Sequence, residues 1–276
     1  MPLILFRTGL RRNDQSADFF PDLNIILKCI IIEEHIFGLC VLSSASYLKK
    51  EVLRMKNKCE LGAAACSVLE RDHSLVKEDI GKDEYLSAGG IELETECYTV
   101  KDFGRLCMLS MQAPGGAMKM ETVILVPLYK DTPLFNLDRV ITPGGETQIM
   151  ELYDVQIDPY PAESLAEFQE LNDADADIAD MPKTENWYDT ILYPCSYHKG
   201  GEKVIDRFQK AVEKYLDTYA RQLKSARICD PAEKGQKVRC FAETLYENSG
   251  PAVEQIKKLF GEEAAKRLVL DYMYGI

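Results

Sequence analysis

The side chains of this 276-residue chain most able to do metal, nucleophilic or phosphate chemistry are nine cysteines, three histidines and a Gly-Gly turn. Their spacing supports none of those chemistries. Cys29, Cys40, Cys59, Cys66, Cys97, Cys107, Cys195, Cys229 and Cys240 form no C-x-x-C pair and no Cys/His cluster of zinc spacing. They read as free thiols of a reducing compartment. His35, His73 and His198 lie far apart, and neither H-E-x-x-H nor G-x-S-x-G occurs, which argues against a metal centre and a hydrolase triad. Pro143-Gly144-Gly145 lacks the spacing of a phosphate loop, and no G-x-G-x-x-G follows a strand, so no nucleotide cofactor site is supported.

Carboxyl groups are abundant and unevenly spread. The net charge is −12 and the isoelectric point about 4.9. Nucleic acid and anionic membrane are polyanions that such a chain repels, so both are excluded as partners. Twelve acidic residues and a single lysine, Lys183, fall between Glu151 and Asp189, whereas Cys195 to Ile276 holds fifteen Lys or Arg against twelve Asp or Glu. The C-terminal part is therefore mildly basic.

The elements that must position any site follow from periodicity. Ile91, Leu93, Thr95 and Cys97 alternate with Glu92, Glu94 and Glu96, giving one buried and one solvated strand face. Leu106 to Met111, Met118 to Val126, Val140-Ile141 and Thr147 to Tyr153 are further strands, with turns at Ala113 to Gly116 and Pro143 to Gly145. Successive hairpins imply an antiparallel sheet. After Pro194 the period becomes helical: Val204, Phe208, Val212, Tyr215, Tyr219 and Leu223 make one apolar stripe, and Pro251 opens a last helix. Strands followed by helices give an α+β fold. With 46% hydrophobic residues the chain is long enough to bury a full core without disulfide or metal.

Residues 1 to 60 are an N-terminal extension of uncertain structure, Ile-rich and then Lys-rich. A pair of helices, an extra strand and sequence upstream of a start at Met55 all remain open. The run MPLILFRTGLRR puts apolar residues before the arginines, the reverse of a secretory signal, and Lys28, Glu33, Glu34 and His35 interrupt the apolar stretch from Ile25 to Leu42. A cytoplasmic location is expected.

Four segments from Gly90 onward share order and spacing with a known family. They are I-E-L-E-T-E-C-Y-T-V-K-D-F (91 to 103), V-P-L-Y-K-D-T-P-L-F-N-L-D-R-V-I-T-P-G-G (126 to 145), E-L-Y-D (151 to 154) and L-F-G-E-E-A-A-K-R-L (259 to 268). In these the chain resembles the ferredoxin-dependent bilin reductases, which make phycocyanobilin and phycoerythrobilin and are related to the red chlorophyll catabolite reductase. The resemblance covers about 185 residues, and residues 61 to 276 would form the reductase-like domain.

The resemblance implies a three-layer α/β/α sandwich with a central antiparallel sheet, holding a biliverdin-like linear tetrapyrrole between sheet and C-terminal helices. It implies an oxidoreductase acting on CH-CH groups with an iron-sulfur protein as donor. Electrons come singly from reduced ferredoxin or flavodoxin, no cofactor or metal is bound, and the protein supplies protons.

Asp138 matches the family's proton-donating aspartate; in an apolar pocket desolvation would keep such a carboxyl protonated near neutral pH. Placed without a gap, Glu121 stands where the family has a histidine or another polar residue and is expected to face the pocket or solvent. Asn248 falls near a residue presented from the opposite side, and Lys183 and Lys257 are candidate partners of the bilin propionates. Cys107 replaces a supporting histidine and Leu109 a glutamate needed for four-electron reduction, so a two-electron product is expected. Lys203, Lys210, Lys214, Arg221 and Lys224 on the long helix are a candidate docking patch for an acidic donor. The alternatives are a non-catalytic tetrapyrrole-binding relative and a chlorophyll-catabolite-type reductase.

Overall fold

The period-two segment beginning at Ile91 forms one long strand, β3 (Ile91–Val100), next to the edge of an eight-stranded antiparallel sheet. The computed structural model describes residues 59–182, 186–248 and 251–276. The expectations for the extension and for Lys183 therefore fall outside the described residues, apart from Cys59 and Glu60. In chain order the elements are α1 (Glu60–Leu69), β1 (Leu75–Lys77), β2 (Tyr85–Ala88), β3, β4 (Gly104–Gln112), β5 (Lys119–Pro127), β6 (Leu134–Thr142) and β7 (Gly145–Tyr153). There follow α2 (Ala162–Asp173), β8 (Tyr197–Gly201), α3 (Ile205–Ser225), α4 (Pro231–Asn248), α5 (Pro251–Phe260), α6 (Glu262–Lys266) and a π-helix (Arg267–Tyr274). Strand order is β1-β3-β4-β5-β6-β7-β8, with β2 also paired to β3.

Successive strand residues point to opposite faces, so the pairing register sorts the sheet into two sets. The row Tyr98, Leu106, Leu125, Phe135 and Leu152 and the row Glu96, Met108, Val123, Leu137, Met150 and Tyr197 lie on one face. Most of their apolar members join the main hydrophobic core with α1, α2 and α3. The stripe read from the sequence is the buried face of α3, carrying Phe208, Val212, Tyr215, Tyr219 and Leu223. Tyr219 packs its ring 5.1 Å from Phe135 and donates its hydroxyl to the Pro133 carbonyl at 2.7 Å. Burying a large apolar side chain contributes about 1.5–3 kcal/mol, and the satisfied hydroxyl avoids the cost of an orphaned donor.

The other face carries the rows Cys97, Cys107, Ile124, Asn136, Glu151 and Thr95, Leu109, Thr122, Asp138, Ile149, His198. The π-helix packs over β4 and β5, and α4 packs against the π-helix. Helices thus cover both sides of the sheet, and the expected α+β three-layer sandwich is the observed architecture. Among the described residues no helix is long and apolar enough to cross a membrane.

Two local features fix the register of the second face. Gly104 opens β4 at φ +148°, where a Cβ would meet the Val126 carbonyl oxygen at 2.2 Å; only glycine admits this approach. Before β6, the Asp131 carboxylate accepts the N–H groups of Ile157 and Asp158 at 2.8 and 3.0 Å and pairs with Arg227 and the fully buried Lys234. Lys234 also donates to the Thr132 carbonyl at 2.8 Å, which ties α4 to the entry of β6.

Candidate functional site

Asp138 stands in the middle of β6, between Thr122 on β5 and Ile149 on β7. Thr122 donates its hydroxyl to Oδ1 at 2.5 Å and Asn136 donates Nδ2 to Oδ2 at 2.6 Å. The side chain keeps some accessible area, but protein surrounds its carboxyl, and burial raises its pKa to about 6. The nearby Glu151 charge pushes in the same direction, while the Thr122 and Asn136 hydrogen bonds and the proximity of His198 pull it down. Desolvation wins, so Asp138 holds its proton to about pH 6, well above the range of an ordinary carboxyl.

Glu151 is buried on the adjacent strand. It accepts the Tyr153 hydroxyl at Oε2 (2.6 Å), and Asn136 Nδ2 reaches the same oxygen at 3.4 Å. His198 Nε2 lies 3.0 Å from Oε1. An aromatic cover closes over these groups. Phe241 of α4 packs 4.9 Å from Tyr153 and 5.4 Å from Tyr274, and Tyr188, on the short turn Trp187–Thr190, packs 5.9 Å from Tyr153. Burial and then the charges of Asp138 and Glu151 push the Tyr274 phenol up, so it stays a neutral hydroxyl beside them. Tyr188 is raised by burial and then by the charges of Glu151, Asp189 and Asp138. The arrangement can deliver a proton from the Asp138 carboxyl beside an aromatic layer.

Of the residues singled out from the sequence, Cys107 and Leu109 share this face. Leu109 is in register with Thr122, next to Asp138 in its row, and both are buried. Burial, then contact with Cys97, keeps the Cys107 thiol protonated; Cys97 Sγ lies 3.5 Å away and both thiols are free. Among the described residues no group of three or more His, Cys, Asp or Glu side chains is arranged to hold a metal.

Glu121 does not belong to the site. It lies on the other sheet face, fully buried, where its carboxylate accepts the N–H groups of Glu60 and Leu61 at 2.8 and 3.2 Å and pairs with Lys119 at 2.8 Å. It anchors the N-terminus of α1, whose exposed donors and dipole favour an anion there. In the ladder the partner of Asp138 is Thr122, and Glu121, one residue earlier, is paired with Arg139 and points to the opposite face. Asn248, expected opposite Asp138, is the exposed last residue of α4, and no described hydrogen bond or ion pair joins it to the network. Lys257 is engaged at the α5–α6 corner, 3.5 Å from Glu262 and with Nζ 4.3 Å above the Tyr246 ring. Of the candidate docking patch, Lys210, Lys214, Arg221 and Lys224 lie on α3 and Lys203 just before it; α3 packs on the face away from Asp138, Arg221 pairs with Glu167 and Lys224 with Asp72.

Thr122, Asn136, Glu151, Tyr153, Tyr188, His198 and Tyr274 are the neighbours that sequence reasoning missed. The E-L-Y-D strand end carried a signal for Glu151 and Tyr153. His198 had none, being one histidine in a Gly-flanked edge strand.

No family model matches the sequence, and no curated protein matches it. Among solved structures, the chain is similar to the crystal structure of phytochromobilin synthase from tomato in complex with biliverdin. The TM-score is 0.64 at 12% identity, over 82% of each chain. At that identity the likeness is one of fold: this chain and the tomato synthase share their architecture.

Proposed function

We propose that this protein reduces a linear tetrapyrrole of the biliverdin type, with Asp138 as proton donor and electrons supplied one at a time by reduced ferredoxin or flavodoxin. The observation that carries the reading is an aspartic acid with its carboxyl enclosed by protein, raised to about 6, in the middle of the sheet of a fold shared with a synthase crystallised with biliverdin. The sequence segments around Asp138 that resemble the bilin reductases support it.

In this reading the conjugated substrate lies over the Asp138 face, and no resident cofactor is needed. An electron added to the bilin raises the basicity of its carbon skeleton, and the nearby acid then transfers its proton. Thr122 and Asn136 hold the carboxyl in one orientation and stabilise the carboxylate left behind, while the aromatic cover excludes water. Leu109, apolar and next to Thr122 in the same row, leaves β4 without an acid there, which favours a two-electron product.

The test is direct. Purified protein mixed with biliverdin should change its absorption spectrum, and reduced ferredoxin added without oxygen should convert it. Binding without conversion selects the non-catalytic relative. No spectral change on mixing removes every bilin reading.

A further inference from the structure

Reduction of one carbon-carbon double bond consumes two electrons and two protons, and Asp138 holds one proton at a time. A second carboxyl stands on the same face one strand away. Glu151 is buried, and its Oε2 accepts the Tyr153 hydroxyl at 2.6 Å. Its Oε1 faces His198 Nε2 at 3.0 Å, yet that nitrogen is buried and makes no aligned hydrogen bond. The His198 side chain as a whole is 38% exposed. The imidazole therefore turns one nitrogen toward a buried carboxyl while other parts of the side chain reach water. Imidazole is the side chain that exchanges protons most readily between pH 5 and 8.

We propose that Glu151 is the second acid of the reaction and that His198 refills it from solvent; this deepens the reductase reading and rests on it. In one turnover the carbon-carbon π bond of the bilin is lost. Two electrons arrive singly from the reduced iron-sulfur or flavin protein, Asp138 gives one proton, Glu151 gives the other, and two C–H bonds form. The Glu151 carboxylate then takes the Nε2 proton of the His198 imidazolium, which takes a proton from water, and Asp138 recovers its own from the medium. The charged and titratable groups facing His198 are Glu151 and Asp138 from β7 and β6, with the neutral phenols of Tyr188 and Tyr274 beside those carboxyls in the cover. Lys199, its neighbour in β8, points to the other face and pairs with Asp180.

The test compares wild type, Glu151→Gln, His198→Gln and His198→Asn for biliverdin binding by absorption, for unfolding midpoint, and for anaerobic reduction by reduced ferredoxin across neutral to alkaline pH. Both histidine variants should bind biliverdin as wild type does and reduce it ~100-fold more slowly, the scale of a lost acid-base group, with the deficit growing as pH rises. Free imidazole should restore much of that rate. Glu151→Gln should lose a similar factor and gain nothing from imidazole, which separates a proton inlet from a packing role. Histidine variants with the wild-type rate across the range, or Glu151→Gln with full activity, overturn this inference and leave the reductase reading standing. A wild-type protein that neither binds nor reduces biliverdin removes both.

Discussion

Asn136 places one amide nitrogen 2.6 Å from Asp138 Oδ2 and 3.4 Å from Glu151 Oε2, so two carboxyls on neighbouring strands share a single donor. That shared donor lets two acids stand together in a buried layer. The Glu151 charge raises the affinity of Asp138 for its proton, and an N–H between the two carboxyls offsets part of the repulsion.

Replacing Asn136 by leucine should therefore move the Asp138 titration upward from about 6, because the hydrogen bond it removes favours the ionised form. A shift of about one unit, equivalent to about 1.4 kcal/mol, is expected. The carbonyl-stretch band of the protonated acid, followed against pH by infrared difference spectroscopy, measures it.

The same group makes stability depend on pH. Its folded-state pKa of about 6 lies above the ordinary 3.8, so folding favours the protonated form. That contribution is fully present below pH 3.8 and is lost as pH rises through about 6. Asp138→Asn, which cannot ionise, should consequently be more stable than wild type at pH 8. The full shift corresponds to about 3 kcal/mol, and partial access to water brings the expected gain to about 1–2 kcal/mol. Denaturant midpoints of the two proteins at pH 4 and pH 8 should be close at the lower pH and separated at the higher.

Glu121→Gln tests the reassignment of that residue to the α1 anchor. It removes the buried charge that faces half-buried Lys119 and buried Arg139 and weakens the cap on α1, which should cost about 3–5 kcal/mol. Biliverdin binding by the folded fraction should be unchanged. A variant of wild-type stability that has lost bilin binding would return Glu121 to the site.

The product offers a separate check. With Leu109 beside Thr122 and no acid on β4 at that place, mass spectrometry should find the bilin heavier by two hydrogens and no product heavier by four. Accumulation of the four-electron product would contradict the part assigned to Leu109.

Much of the sheet was legible because its period-two patterns are strong: β3, β4, β5 and the Pro143-Gly144 hairpin lie where alternation and turn chemistry put them. Other elements carried weak signals. Helix α2 buries only Phe168 fully, α4 mixes Gly235 and a buried lysine into its pattern, and β8 is a five-residue edge strand with two glycines. Asp138 was singled out through the resemblance, while its place inside a strand was not, since only Val140-Ile141 was read as strand and β6 begins six residues earlier, at Leu134. Glu121 was expected to face the pocket or solvent; strand alternation instead sends it to the face of α1, and its neighbour Thr122 is the residue opposite Asp138. Glu151 and His198 are paired across β7 and β8 from positions far apart in sequence, and neither patterning nor spacing announces such a pair.

The most direct measurement of the central claim is the anaerobic reduction of protein-bound biliverdin by reduced ferredoxin, in wild type and Asp138→Asn, followed by absorption against pH. The account predicts a wild-type rate that falls as pH rises above about 6, where Asp138 loses its proton, and a variant that binds biliverdin but reduces it at least ~100-fold more slowly. Reduction by Asp138→Asn at the wild-type rate across that range would contradict it.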